Sequence, residues 1–374
     1  VLKLKHDLFM IHAKGNIMIG MRRLVVGAAL FAILAMGAVV SAQEAVVDGL
    51  NNPRHITYDD AGNLYIAEAG TGGAIPVDGA FGPAVAGGTA SITVIAPDGT
   101  RSAISGFTSR DEGGEMIGVS AVLAHGDSLW LALGQTSLAF PFSWAVVELD
   151  IANNYRVKTF IDVYSAEAAQ DPDAQGVDSN PVDLAFDSQG NLYIADAGAN
   201  TIWRWSAGGS GLEVFATWAE QLVPTSLAID AEDNVWVGFL TGFPFAPQSS
   251  RIEQYAPSGD LVATIPGLTT VVDLHLEGTQ LYAVEFAVFG DQGWTPNTGR
   301  VVAVNADGSL TVIAEGLNLP YGLSAVAGTG TLVVTVNAAY SPAGSGAVVA
   351  LGDLPAAPSV DAPVDPAATP ESGG

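Results

Sequence analysis

The chain has 374 residues, 49% of them hydrophobic, with 39 acidic residues against 13 basic ones and no cysteine. A net charge of −26 repels phosphate backbones and anionic lipid surfaces, which excludes nucleic acid as a partner. The missing cysteines exclude disulfides, so packing alone must stabilise the fold, and the length suits one large all-β domain.

Met21-Arg22-Arg23, an apolar run from Leu24 to Val40, and Val40-Ser41-Ala42 read as a secretory signal peptide spanning residues 21–42. A membrane anchor is the competing reading, but the run is short for a span of about 20 residues. Residues 1–20 read as upstream sequence ahead of the natural start at Met21. Export to the periplasm or beyond is expected, with no stable membrane insertion after cleavage. Past residue 42 the balance is 8 basic residues against 38 acidic ones.

From here one short strand pattern recurs six times, opened by Leu64, Leu129, Leu192, Val235, Leu281 and Leu332. The spacing is that of propeller blades carrying loop insertions. Ahead of most copies stands a partner strand opened by proline, at Pro53, Pro181, Pro224 and Pro320. The turns between the two, such as Asp59-Asp-Ala-Gly-Asn63 and Asp187-Ser-Gln-Gly-Asn191, supply side-chain turn bonds and positive φ. Four antiparallel strands in each of six units, with no helix-period segment, predict a six-bladed β-propeller over residues 43–354. The last unit stops near Leu351 one strand short. Ala45–Leu50 echoes Ile313–Leu317 and is expected to supply the missing strand and close the ring. Residues 355–374, rich in Pro and Ala and carrying Asp361, Asp365 and Glu371, read as a disordered tail.

At Asp178-Ser-Asn-Pro-Val-Asp-Leu184, Ala195-Asp-Ala-Gly-Ala-Asn-Thr201, Val223-Pro-Thr-Ser-Leu-Ala228 and Leu240-Thr-Gly-Phe-Pro-Phe245 the chain resembles the ScyD/ScyE family, which is related to NHL and SMP-30-like propellers. The likeness runs from about Gly49 to Leu351. It implies the propeller and export, and little biochemistry.

SMP-30-like lactonases hold a divalent cation in the channel with a Glu, Asn or Asp just after the opening residue of several inner strands. That position here reads Arg54, Ser120, Val182, Thr225, Val272 and Tyr321, with no carboxylate or amide. One residue further on, the series becomes His55, Ala121, Asp183, Ser226, Asp273 and Gly322. Arg54, His55, Asp183 and Asp273 are therefore the candidate ligand-binding residues of the channel mouth. Sheets packed ~10 Å apart would put the two aspartates ~12–17 Å from each other, too far to chelate one ion. Calcium or another divalent cation is left as an open possibility there, and no cofactor is firmly expected. Glu68, Asp196 and Glu285 share one second-strand position in alternate blades, and the same spacing keeps them apart in local turn bonding.

Insertions gather on one face of the propeller and carry the aromatic candidates Trp144, Phe243, Phe245 and Trp294, with Phe81, Phe140, Phe142, Phe289 and Tyr340. The same loops hold Glu112, Glu115 and other acids. The plainer reading of these aromatics is that they pin long loops to the rim. No Gly-x-Ser-x-Gly motif occurs, and His55, His125 and His275 sit in or beside inner strands, where a structural hydrogen bond is the ordinary role. The expectation is a non-catalytic binding or accessory module that takes a small molecule or protein on the long-loop face. A lactone hydrolase using Asp183 and Asp273 is the alternative.

Overall fold

The computed structural model describes residues 45–352 except Phe81, Ser210 and Ala327. The segments read from the sequence as upstream residues, a signal peptide and a disordered tail lie outside the described residues.

The described strands form a β-propeller. Among the described residues six antiparallel sheets of four or more strands form the blades, five of them built on a four-strand meander and the last completed by the N-terminal strand, and Phe289–Gly290 pairs with Gly293–Trp294 in a separate two-stranded sheet. The inner strands are Pro53–Tyr58, Val119–His125, Pro181–Phe186, Pro224–Ile229, Val271–Glu277 and Leu323–Ala325, opening blades one to six. Each comes within 8 Å, Cα to Cα, of the inner strand of the next blade, and the last returns to the first, so the ring is closed. Second strands begin at Leu64, Ser128, Leu192, Val235, Gln280 and Leu332, within one residue of the repeat read from the sequence.

Closure runs as the repeat implies. Ala45–Leu50 pairs antiparallel with Gly346–Ala350, through Ala45 with Val349, Val47 with Val348 and Leu50 with Gly346. Leu50 is fully buried, among Ile56, Ile66 and Val333. That burial gives the closing strand a hydrophobic anchor as well as a hydrogen-bonded edge. The remaining core lies between adjacent blades, as where Tyr65 and Ile92 of blade one meet Leu129, Leu131 and Val147 of blade two.

The tight turns recur with one chemistry. Asp59, Asp187 and Asp230 each accept the backbone N–H four residues on, from Asn63, Asn191 and Asn234, at 2.8 Å. The same asparagines return a side-chain N–H to the aspartate, which makes each turn a closed polar unit.

Two expectations are corrected. A helix is present at Val163–Gln170, inside the insertion before blade three. Asp162 caps it by accepting from the Ser165 N–H at 2.9 Å. With eight residues and only Val163 and Glu167 buried, it is too short to write a helical period into the sequence. The insertions of blade one are largely strand rather than loop: Pro83–Ile95 and Arg101–Glu112 run on past the blade and pair with Ile75–Asp78 and Glu115–Ile117.

Candidate functional site at the channel and its mouth

Just inside the opening residue, the inner strands of blades one to five break register: between Pro53 and Ile56, Val119 and Ala121, Pro181 and Asp183, Pro224 and Ser226, and Val271 and Asp273. Such a bulge turns two successive side chains inward at different heights. The first of each pair faces the long-loop side, where Arg54, Val182, Thr225, Val272 and Tyr321 line a cavity. The second lies deeper. There blades one, three and five contribute His55, Asp183 and Asp273, while blades two, four and six contribute the small Ala121, Ser226 and Gly322. Small residues on alternate blades leave room for the three large ones. Gly322 is required for this: a Cβ there would stand 2.5 Å from the Arg54 carbonyl oxygen and 2.6 Å from His55 Cα.

The three polar side chains converge. His55 Nδ1 lies 3.2 Å from Asp183 Oδ1 and 3.4 Å from Asp273 Oδ1, and all three residues are buried. The expected separation of ~12–17 Å is wrong for a definite reason. Sheet spacing describes the middle of a blade, whereas blades are wedges whose inner strands approach within 8 Å. The bulge then aims the side chains at the axis.

Each aspartate also fastens two blades. Asp183 accepts the N–H of Leu184 and of Leu227 in blade four, both at 2.7 Å. Asp273 accepts from Leu274 at 2.8 Å and from Leu323 in blade six at 2.6 Å. Burial pushes the His55 pKa down, but the two carboxylates more than reverse this and hold it at about 9. Burial raises Asp273 to about 7, against the opposing pull of His55, with Asp183 adding to the rise. The second imidazole nitrogen, Nε2, is buried with no hydrogen-bond partner.

Above this layer the cavity has a volume of about 670 Å³. Arg54 stands in its floor, donating to the Met116 and Ala338 carbonyls at 2.6 Å each, with its guanidinium 4.9 Å from the centre of the Tyr321 ring. It is thus a clamp between loops as well as a charge. His55 meets the other side of this arrangement, edge-on to Tyr321 at 5.2 Å.

Of the loop aromatics, Phe243, Phe245 and Trp294 line the cavity together with Phe289. Trp294 packs 4.9 Å from Phe245 and 4.8 Å from Phe289, and Phe243 is 77% exposed. Trp144 is elsewhere. It stacks on Tyr164 of the helix at 5.0 Å and does not line the cavity, and the sequence reading missed this because the helix that captures it carries no readable period. Phe81 lies outside the described residues. His125 stacks on Phe186 at 4.0 Å and His275 approaches Glu277 at 3.5 Å, so neither joins the axial group.

Glu68, Asp196 and Glu285 do not meet. Each accepts a backbone N–H of the loop entering its own blade, from Asn51, Asn180 and Thr269 respectively. The sequence reading missed Arg110 and Asp178 as cavity residues. Arg110 lies in the strand that overruns blade one, and no repeat position marks it.

No family model and no curated protein matches the chain. Among solved structures, it is similar to a protein of unknown function from Bacteroides thetaiotaomicron, with a TM-score of 0.51 and 10% identity over 82% of this chain and 71% of the other. It is also similar to a streptogramin B lyase, with a TM-score of 0.49 and 10% identity over 82% and 96%. Virginiamycin B lyase from Staphylococcus aureus gives a TM-score of 0.46 and 11% identity over 82% and 98%. At such identities the likeness is one of fold.

Proposed function

We propose that this protein is an exported binding or accessory propeller of the ScyD/ScyE type, whose ligand occupies the axial cavity on the long-loop face. The observation that carries the reading is the cavity itself. At about 670 Å³ it matches the usual size of a small-molecule site, roughly 300–1,000 Å³. Its apolar wall of Phe243, Phe245, Phe289 and Trp294 faces polar groups from blades one to three, the mixture that fixes and orients a ligand. The axial His55, Asp183 and Asp273 are not among the cavity's lining residues, which speaks against their acting on a bound molecule. A small-molecule fragment screen followed by ligand-observed NMR tests the reading. Hits should lose binding in Trp294→Ala while the circular dichroism spectrum is unchanged. Hits that bind Trp294→Ala as well as wild type would place the ligand elsewhere.

A second reading, a lactone hydrolase with a divalent cation on the axis, is favoured by one observation. Ligand atoms of His55, Asp183 and Asp273 all lie within 4.8 Å of one another. One imidazole nitrogen and two amide-anchored carboxylates suit a zinc- or manganese-like ion, and fall short of the six to eight oxygens that calcium takes. Such an ion, when bound, would supply Lewis-acid chemistry. Calorimetric titration of zinc and of calcium into chelator-treated protein separates the two readings. Micromolar affinity abolished by Asp183→Ala, together with turnover of a lactone panel, would replace the binding module with the hydrolase.

A further inference from the structure

We infer that the mouth cavity takes an organic cation with an aromatic or aliphatic body, its positive group held where Trp294, Tyr340 and Glu115 meet. This rests on the reading of the cavity as the ligand site and adds the chemical class of the ligand.

The aromatic wall is continuous. Phe245, Phe289 and Trp294 stand in mutual ring contact at 5.2, 4.9 and 4.8 Å. Trp294 also contacts the Tyr340 hydroxyl, and that hydroxyl donates to Glu115 Oε2 at 3.0 Å. The aromatic wall therefore ends beside a carboxylate. Indole and phenol rings attract cations through their quadrupoles, most strongly where water is displaced.

The charges around the cavity point the same way. Of its two guanidiniums one is paired with an acid, and the other is fixed by backbone carbonyls that leave its charge in place. Arg54 is held by the Met116 and Ala338 carbonyls, and Arg110 forms an ion pair with Glu112 at 2.9 Å. Glu115 and Asp178 also line the cavity within the electrostatic reach of Arg110, which pairs directly with Glu112. Gln135 donates to Asp178, and Tyr340 to Glu115, so both carboxylates are held in place by neutral donors. An anionic ligand would have to sit against these two groups. With Arg54 and Arg110 set against Glu112, Glu115 and Asp178, the lining carries one carboxylate in excess, and a cation also meets an aromatic wall inside a protein whose net charge of −26 draws cations toward it.

The experiment uses three benzyl probes on the full propeller: benzyltrimethylammonium, its uncharged carbon analogue neopentylbenzene, and phenylmethanesulfonate. Binding is followed by ligand-observed NMR at low salt and at about 0.5 M salt, where exposed charges are screened. The cation is expected to bind about ten-fold more tightly than the neutral probe, to weaken with salt, and to lose that margin in Glu115→Gln. Tyr340→Phe keeps the ring and removes the hydroxyl that positions Glu115, and should reduce the margin without abolishing binding. Equal or tighter binding of the neutral or anionic probe overturns the cation assignment and leaves the cavity as a ligand site. No binding by any of the three overturns both.

Discussion

His55 Nδ1 lies 3.2 Å from Asp183 Oδ1, so a side chain of blade one reaches across the channel to blade three. A contact between residues 128 positions apart in sequence ties two non-adjacent blades across the channel. The same carboxylate accepts two backbone N–H groups, one from the next blade. Its removal leaves those amides without this acceptor and the buried imidazolium with Asp273 as its remaining carboxylate. Breaking a buried pair in this way costs about 3–5 kcal/mol. Asp183→Ala is therefore expected to lower the urea midpoint sharply, and Asp183→Asn, which retains an oxygen acceptor, to do so less. An Ala variant within about 1 kcal/mol of wild type, the net worth of one ordinary hydrogen bond, would show that the cross-channel contact is dispensable.

Stability should fall as pH rises through the neutral range. Both axial groups hold their proton more tightly in the folded state, His55 at about 9 against 6.5 and Asp273 at about 7 against 3.8. The folded protein then binds more protons than the unfolded chain, and stability decreases with pH wherever that holds. The His55 contribution is complete below about 6.5 and is lost as pH rises through about 9. Ionisation of Asp273 acts in the same direction, as pH passes from its unfolded value to about 7. Melting temperatures of wild type and His55→Gln should differ most near pH 6 and converge near pH 9.5. A constant difference across that range would remove His55 titration from the account.

The closing strand is expected to be indispensable. Deleting residues 45–50 exposes the edge of Gly346–Ala350 and leaves the pocket of Leu50 empty. Size-exclusion chromatography should show aggregation of the truncated protein. Leu50→Ala keeps the edge paired and should instead cost about 2–5 kcal/mol as a soluble monomer-sized species. A truncated protein that elutes and melts like wild type would mean the ring closes without this strand.

Gly322 admits no side chain. Gly322→Ala sets a methyl group against the Arg54 carbonyl and the His55 backbone, and overpacking of this kind costs about 1–3 kcal/mol. Gly211→Ala is the control, since nothing lies within 4 Å of its added Cβ. Chemical denaturation of the pair should show a loss at 322 and little change at 211. Equal behaviour of the two would mean the axial layer yields to accommodate the methyl.

The propeller was legible because its determinants are local and repeated. Alternating apolar strands, Asp-to-Asn turns and opening prolines recur at blade spacing, and each encodes its own geometry over a handful of residues. Ring closure was legible for the same reason, since Ala45–Leu50 repeats a pattern found in the preceding blade. The alternation of His55, Asp183 and Asp273 with Ala121, Ser226 and Gly322 was also written in the sequence, once the inner strands were aligned. Its meaning was not. Whether those three side chains stand far apart or touch depends on how closely the inner strands approach and on which way a bulge turns a residue. Likewise, nothing in the loops distinguished Trp144, captured by Tyr164 of a short helix, from Trp294, which faces the cavity. Strand pattern and turn chemistry act between near neighbours and so are carried by the sequence. Convergence at the axis is a sum of packing distances around the whole ring, and only the closed tertiary structure sets it.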